Sequence, residues 1–262
     1  ILGTYFSAFP ENIQKACKSA LATSFELFRN VRRTFRPSPA CCHYRFGMHE
    51  ISELMQGLCR ADTTSCTTPF KLMRLWFHEA CRVFRDRMVS EYDAKRMTNL
   101  TVETVKKYFS SIDEDKFRVE PLLFDIKATS SCDTELKSYH TLRDRLTREL
   151  EEYNSKHGIM NLVLFDEAIE HIMRVARSLR RLNGNMILVG SEACGKQSLA
   201  RLAAWTCGEL PFRVASDSSN NLQFRVLLRD LVRFVAVSKN IAQPAVLYVN
   251  TKSLSCDENL AD

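Results

Sequence analysis

MILVGSEACGKQSLARLAAW, residues 186–205, sets a short, unbroken apolar run against a loop and then a helical pattern. A continuous run such as MILVG predicts a strand buried on both faces. The loop GSEACGKQS, residues 190–198, carries G-x-x-x-x-G-K and passes directly into LARLAAWTC. Strand, G-x-x-x-x-G-K, helix is the phosphate-loop arrangement. Its chemistry needs backbone N–H groups around an anion at a helix N-terminus and an ammonium to neutralise the outer phosphates. Gly190, Gly195 and Lys196 fit those roles. The next residue should carry a hydroxyl to hold Mg²⁺, but it is Gln197, with Ser198 one place later.

Downstream, PAVLYVNT at 244–251 reads as the second strand of such a site, ending where a carboxylate would hold Mg²⁺ through water. Asn250 stands there, and a neutral amide supplies no charge to fix the metal. Thr251, beside it, is no general base toward water. Between the two runs, PFRV suggests another strand, and Leu222, Val226, Leu227, Asp230, Leu231 and Phe234 outline a helix. Upstream, apolar residues from Leu162 and Phe165 through Ile169, Ile172, Met173 and Ala176 to Leu179 predict one long amphipathic helix. NGN at 183–185 supplies a glycine for its C-terminal cap.

The first half reads as helices joined by short breaks. Ile13, Ala16, Cys17, Ala20 and Leu21, then Phe25, Leu27 and Phe28, give an apolar stripe that ends before Pro37 and Pro39. Ile51, Leu54, Met55 and Leu58 form a second stripe. Leu72, Leu75, Trp76, Ala80, Val83 and Phe84 form a third after the polar break ADTTSCTTP. HEACR at 78–82 lacks the second His of H-E-x-x-H, because Arg82 stands in its place, so His78 reads as a packed or hydrogen-bonded residue and no metal site is predicted. Residues 110–157 are polar, with Leu142, Leu146 and Leu150 marking a connecting helix.

The 262 residues are 45% hydrophobic and 26% charged, which excludes disorder and low-complexity classes. No run approaches the roughly 18 apolar residues of a membrane-spanning helix. A net charge of +6 is modest, and the basic stretch RVARSLRR at 174–181 suits a solvated helix face better than nucleic acid. Ten cysteines without a C-x-x-C pair fit no zinc template and read as reduced thiols of an intracellular protein. The opening ILGTYFSAFP has neither Met nor a signal pattern, from which a missing beginning is expected.

Residues 160–205, MNLVLFDEAIEHIMRVARSLRRLNGNMILVGSEACGKQSLARLAAW, resemble the start of the fourth AAA+ module of axonemal dynein heavy chains, with GKQSL the most specific part. FPENIQKACKSALATSFELF, PSPACCHYRFGMHEISELMQGL and LMRLWFHEACRVFRDRMV are similar to the helical lid of the third module. The resemblance implies an α/β protein with a large all-α part. Residues 1–157 would be the helical lid and connector of the third module, and 158–262 a truncated large subdomain of the fourth with an incomplete P-loop parallel sheet. It also implies that the strand between the phosphate-loop strand and the Asn250 strand lies beyond Asp262, leaving exposed edges.

By the same resemblance the chain belongs to the motor ring of an ATP-driven ciliary motor of the axoneme. ATP or ADP with Mg²⁺ would serve the parent. Its partners would be neighbouring AAA+ modules, intermediate and light chains, and microtubules. Several positions depart from the family: Glu192, Ala193 and Cys194 replace glycine-rich loop residues, Asn250 replaces Asp, and His49 replaces a lid arginine. Each change weakens nucleotide chemistry and points to a structural or regulatory site. Two alternatives remain at this stage: a non-catalytic helical interaction protein with a vestigial P-loop, and an autonomous P-loop ATPase or kinase.

Overall fold

A computed structural model describes residues 2–61, 63, 66–109, 123–125, 134–136, 138–181, 184–208, 210–214, 226, 228–229, 232–233 and 245–250. The chain divides into two compact units, which part in the main between Ser138 and Tyr139.

In the first unit the apolar stripes become helices α1 (Leu2–Tyr5), α2 (Glu11–Thr34), α3 (Met48–Leu58), α4 (Pro69–Val83) and α5 (Glu91–Tyr108). Helix α2 starts after Pro10 and ends at Phe35, whose N–H still bonds Val31 O before Pro37 forbids another turn. It buries Ile13, Ala16, Cys17, Ala20, Leu27, Phe28 and Val31 against the other helices. Phe25, expected on that stripe, is 43% exposed, since the buried face has turned past it. Helix α4 opens on the Thr68 hydroxyl, which accepts from Lys71 N–H at 3.3 Å, with Pro69 as its first residue.

Several buried polar groups of this unit are paired with one another. Trp76 Nε1 donates to Ser24 Oγ at 2.7 Å, and Ser24 donates in turn to Ala20 O. Glu79 on α4 is fully buried and its Oε1 lies 3.2 Å from His78 Nδ1, so His78 is the packed, bonded residue expected of it. Gly57 on α3 makes room for that carboxylate, because a Cβ there would stand 1.9 Å from Glu79 Oε2. Helix α5 is an element that the apolar stripes did not announce. Ser90 caps it by accepting from Asp93 N–H at 3.0 Å, and two of its five buried residues are threonines, Thr101 and Thr104. A short antiparallel pair, β1 (Leu123–Asp125) with β2 (Thr134–Leu136), completes the unit.

The second unit gathers α6 (Tyr139–Lys156), α7 (Asp166–Leu179) and α8 (Lys196–Thr206) with a parallel pair, β3 (Phe212–Val214) and β4 (Val246–Tyr248). Leu142, Leu146 and Leu150 are buried as their spacing predicts, but they pack α6 into this second unit. The two compact units therefore part near 138/139, with α6 in the second. Helix α7 starts later than expected: Phe165 is its N-cap and 54% exposed, and Asp166 is its first residue. It also ends earlier, at Leu179 with Arg180 as cap. Gly184 serves a close approach instead, since a Cβ there would meet Ser178 O at 1.9 Å.

The buried strand expected at 186–190 is not formed. These residues are irregular, with Ile187 89% and Val189 92% exposed, because an apolar run becomes a strand only where a ladder accepts its N–H and C=O groups. PFRV and AVLYV do form strands, paired Phe212 with Val246 and Val214 with Tyr248. Of the helix expected over 222–234, Val226, Leu228, Arg229, Val232 and Arg233 are described and helical; the rest lies outside the described residues. Among the described residues no helix is long and apolar enough to cross a membrane.

Candidate nucleotide site

Helix α8 positions the loop. Its buried side, Ala200, Leu202, Ala203, Ala204 and Trp205, packs on α7 and α6. Trp205 meets Tyr153 edge-on at 5.4 Å and His157 at 5.3 Å, and Lys156 lies 4.9 Å over its ring. Thr206 donates to Glu149 Oε2 at 2.8 Å. These contacts fix the C-terminal end of α8, and its N-terminus presents the loop.

The loop turns on two left-handed residues, Ala193 at φ 58° and Gly195 at φ 78°, and Gly195 is the N-cap of α8. Such turns build the concave backbone that binds anions ahead of a helix N-terminus. Lys196 folds back over it: Nζ donates to Gly190 O at 2.8 Å and to Ser191 O at 2.6 Å, and lies 3.5 Å from Cys194 Sγ. A Cβ on Gly190 would come within 3.1 Å of that sulfur, so Gly190 is needed for close approach and not for a left-handed turn. The structure thus brings Gly190, Gly195 and Lys196 together as the motif predicts. It adds two participants that sequence reasoning treated only as departures, the Ala193 backbone and Cys194. Their signal was the loss of glycine from the loop.

The remaining candidates are placed as follows. Gln197 and Ser198 lie half-buried in the first turn of α8, and Glu192 is exposed on the loop. Asn250 is exposed two residues past β4, while Thr251 lies outside the described residues. His49 belongs to the first unit, near the start of α3, where its exposed ring has Nε2 3.3 Å from Glu53 Oε1. The donor set fits a phosphate group, with an ammonium and a helix N-terminus at one loop. It does not fit Mg²⁺, since Gln197 and Asn250 are neutral amides at the positions where a hydroxyl and a carboxylate would bind it. Among the described residues no group of three His, Cys, Asp or Glu side chains could hold a metal ion.

Comparison with known proteins gives two family matches, an AAA+ lid domain over residues 20–119 and the P-loop containing dynein motor region D4 over residues 160–260. The chain is 37% identical over 232 residues to the flagellar outer arm dynein beta chain of Chlamydomonas reinhardtii, covering 84% of this chain and 5% of that one. It is 36% identical to the outer arm alpha chain of the same organism over 99% of its length, 6% of the relative. With human dynein axonemal heavy chain 17 it shares 34% identity over 77% of its length, 5% of the relative. The chain thus spans about one twentieth of the relatives it matches. With a lid match ahead of a D4 match, and this likeness to axonemal chains along most of its length, the chain belongs to the dynein heavy-chain family, axonemal type, in its AAA+ motor region.

Proposed function

We propose that the chain forms part of the motor ring of an axonemal dynein heavy chain, an ATP-driven motor on ciliary microtubules, and that its own P-loop serves structure or regulation and not turnover. Residues 1–157 are the helical lid and connector of a third AAA+ module. Residues 158–262 are the opening part of the large subdomain of a fourth, with an incomplete parallel P-loop sheet. The parallel pairing of β3 with β4 supports that reading of the sheet. The parent acts in the cytoplasmic cytoskeleton of the cilium with its neighbouring AAA+ modules, intermediate chains and light chains.

One observation carries the non-catalytic reading: the loop keeps its phosphate-directed lysine on Gly190 O and Ser191 O while both magnesium positions, Gln197 and Asn250, are amides. Charge-stabilising groups of this kind are worth orders of magnitude in rate. Phosphate release from Mg-ATP should therefore stay at background for the 262-residue chain. Turnover that vanishes on Lys196→Ala would overturn the proposal and favour an autonomous P-loop ATPase.

A further inference from the structure

The first unit carries a charge pattern that the P-loop reading does not use. From Leu27 to His49 the chain has five arginines and two histidines and no Asp or Glu. Three of the arginines, Arg29, Arg32 and Arg33, stand at i, i+3 and i+4 in the last turns of α2, and Arg36 follows its C-cap Phe35. All four are exposed, and the three helical ones lie on the side of α2 away from its buried Leu27, Phe28 and Val31. At 1.5 Å per residue the helical part of the stripe is about 6 Å long. Phe25 lies one turn before Arg29 on the same face and is 43% exposed.

What holds these groups in place is local. Arg32 lies 5.5 Å over the Phe28 ring, and Arg29 reaches Glu26 at only 3.6 Å with 63% of its side chain exposed. Glu26 marks the end of the stripe. Its pKa is held below the ordinary value, first by the hydrogen bond from Lys107 at 3.0 Å and then by the charges of Lys107, Arg29 and Arg33. The carboxylate nearest the stripe is thus already taken by Lys107, and the guanidinium forks beyond it face solvent.

Arg and aromatic side chains with Lys, Glu and Asp depleted is the composition of protein interfaces. Forked guanidinium groups bind carboxylates in bidentate pairs, whereas lysine offers only a point charge. A nucleic-acid backbone asks for basic groups spread along many phosphates and for aromatic platforms. So short a stripe with one exposed ring suits a short acidic segment better.

We infer that the Arg29–Arg32–Arg33 face at the end of α2, with Arg36 just beyond it, is a docking surface for a short acidic protein segment.

The test is fluorescence anisotropy of a labelled ten-glutamate peptide against the full 262-residue chain at low and physiological salt. Binding that weakens at least tenfold when the four arginines become Gln is the expected result. Four lysines in their place should recover part of the affinity. Removing equal charge elsewhere, with Lys71→Gln, Lys95→Gln, Arg148→Gln and Arg229→Gln, should change it less than twofold. Circular dichroism confirms that each variant is folded. The inference is overturned if the peptide does not bind, if the four-arginine Gln variant and the four-site control lose affinity equally, or if a ten-nucleotide single strand binds more tightly than the peptide through the same arginines.

Discussion

The helical unit and the P-loop unit differ in how their apolar residues meet the backbone. Trp76 is fully buried in the first, with its N–H bonded to Ser24, whereas Ile187 and Val189 in the second stand 89% and 92% exposed beside an irregular backbone. Helices satisfy N–H and C=O groups within a few residues, so an apolar stripe suffices to bury them. A strand has to borrow its partner from elsewhere in the chain. The same hydrophobicity therefore builds a core in one unit and leaves an open edge in the other.

The sharpest way to break the comparison is to damage the tight unit at Gly57. Alanine there would put a Cβ 1.9 Å from Glu79 Oε2 and 2.4 Å from Cδ, and a fully buried carboxylate has little room to move. Gly57→Ala should cost about 3 kcal/mol through overpacking and the displaced charge. Hydrogen exchange of α3 and α4 would report it. Gly158→Ala in the other unit, with nothing within 4 Å, should leave exchange unchanged.

Alkaline pH attacks the tight unit next. Burial pushes the Cys17 thiol up to about 11, with the neighbouring Cys59 adding to it, and burial pushes Cys66 to about 11 against the pull of Lys71. With folded values raised, these thiols give a stabilisation that is complete below the unfolded thiol pKa of about 8.5 and is lost as pH climbs toward 11. Denaturation followed between pH 8 and 11 should show stability falling steadily as pH rises. A flat profile would mean that both thiols reach solvent.

Much of the helical unit was legible because its stripes run at 3, 4 and 7 residues. Helix α5 escaped notice since its buried face is sparse, with Thr101 and Thr104 hiding their hydroxyls by donating to Met97 O and Leu100 O. In the P-loop unit the motif placed Gly190, Gly195 and Lys196 at one loop. What it could not supply was pairing. MILVG and AVLYV look alike as apolar runs, yet only the second finds a neighbour, β3. Leu142, Leu146 and Leu150 likewise show a buried face without naming the side they pack against.

The loop itself sharpens the contrast through Glu192. If its carboxylate comes about 6 Å from a phosphate charge, Coulomb's law at an effective dielectric near 20 gives roughly 3 kcal/mol of repulsion before screening. Half of that is about tenfold in affinity. Titration with ATP should therefore show Glu192→Gly binding about tenfold more tightly than wild type, with Glu192→Gln recovering part of the gain. Equal affinities would place the side chain away from the phosphates.

The smallest effect tests whether the loop holds its shape under strain. Ala193 sits at φ 58°, a left-handed conformation that costs a residue with a Cβ roughly 1–2 kcal/mol and that glycine takes freely. Gly195, at φ 78°, has the residue type its conformation asks for, and a Cβ there would find nothing within 4 Å. The two positions are therefore a matched pair in which packing plays no part and backbone strain alone sets the sign. Ala193→Gly should stabilise the loop by about 1 kcal/mol, the strain relieved less the extra entropy that glycine brings to the unfolded chain. Gly195→Ala should destabilise it by about as much. Hydrogen exchange in the first turn of α8 reads both, because Leu199 N–H bonds Gly195 O at 2.9 Å and opens when the loop lets go. Slower exchange in the first variant and faster exchange in the second would locate the strain in the loop. Changes of the same sign in both would mean that the loop relaxes out of these turns in solution, and that Lys196, through its bonds to Gly190 O and Ser191 O, holds it closed without them.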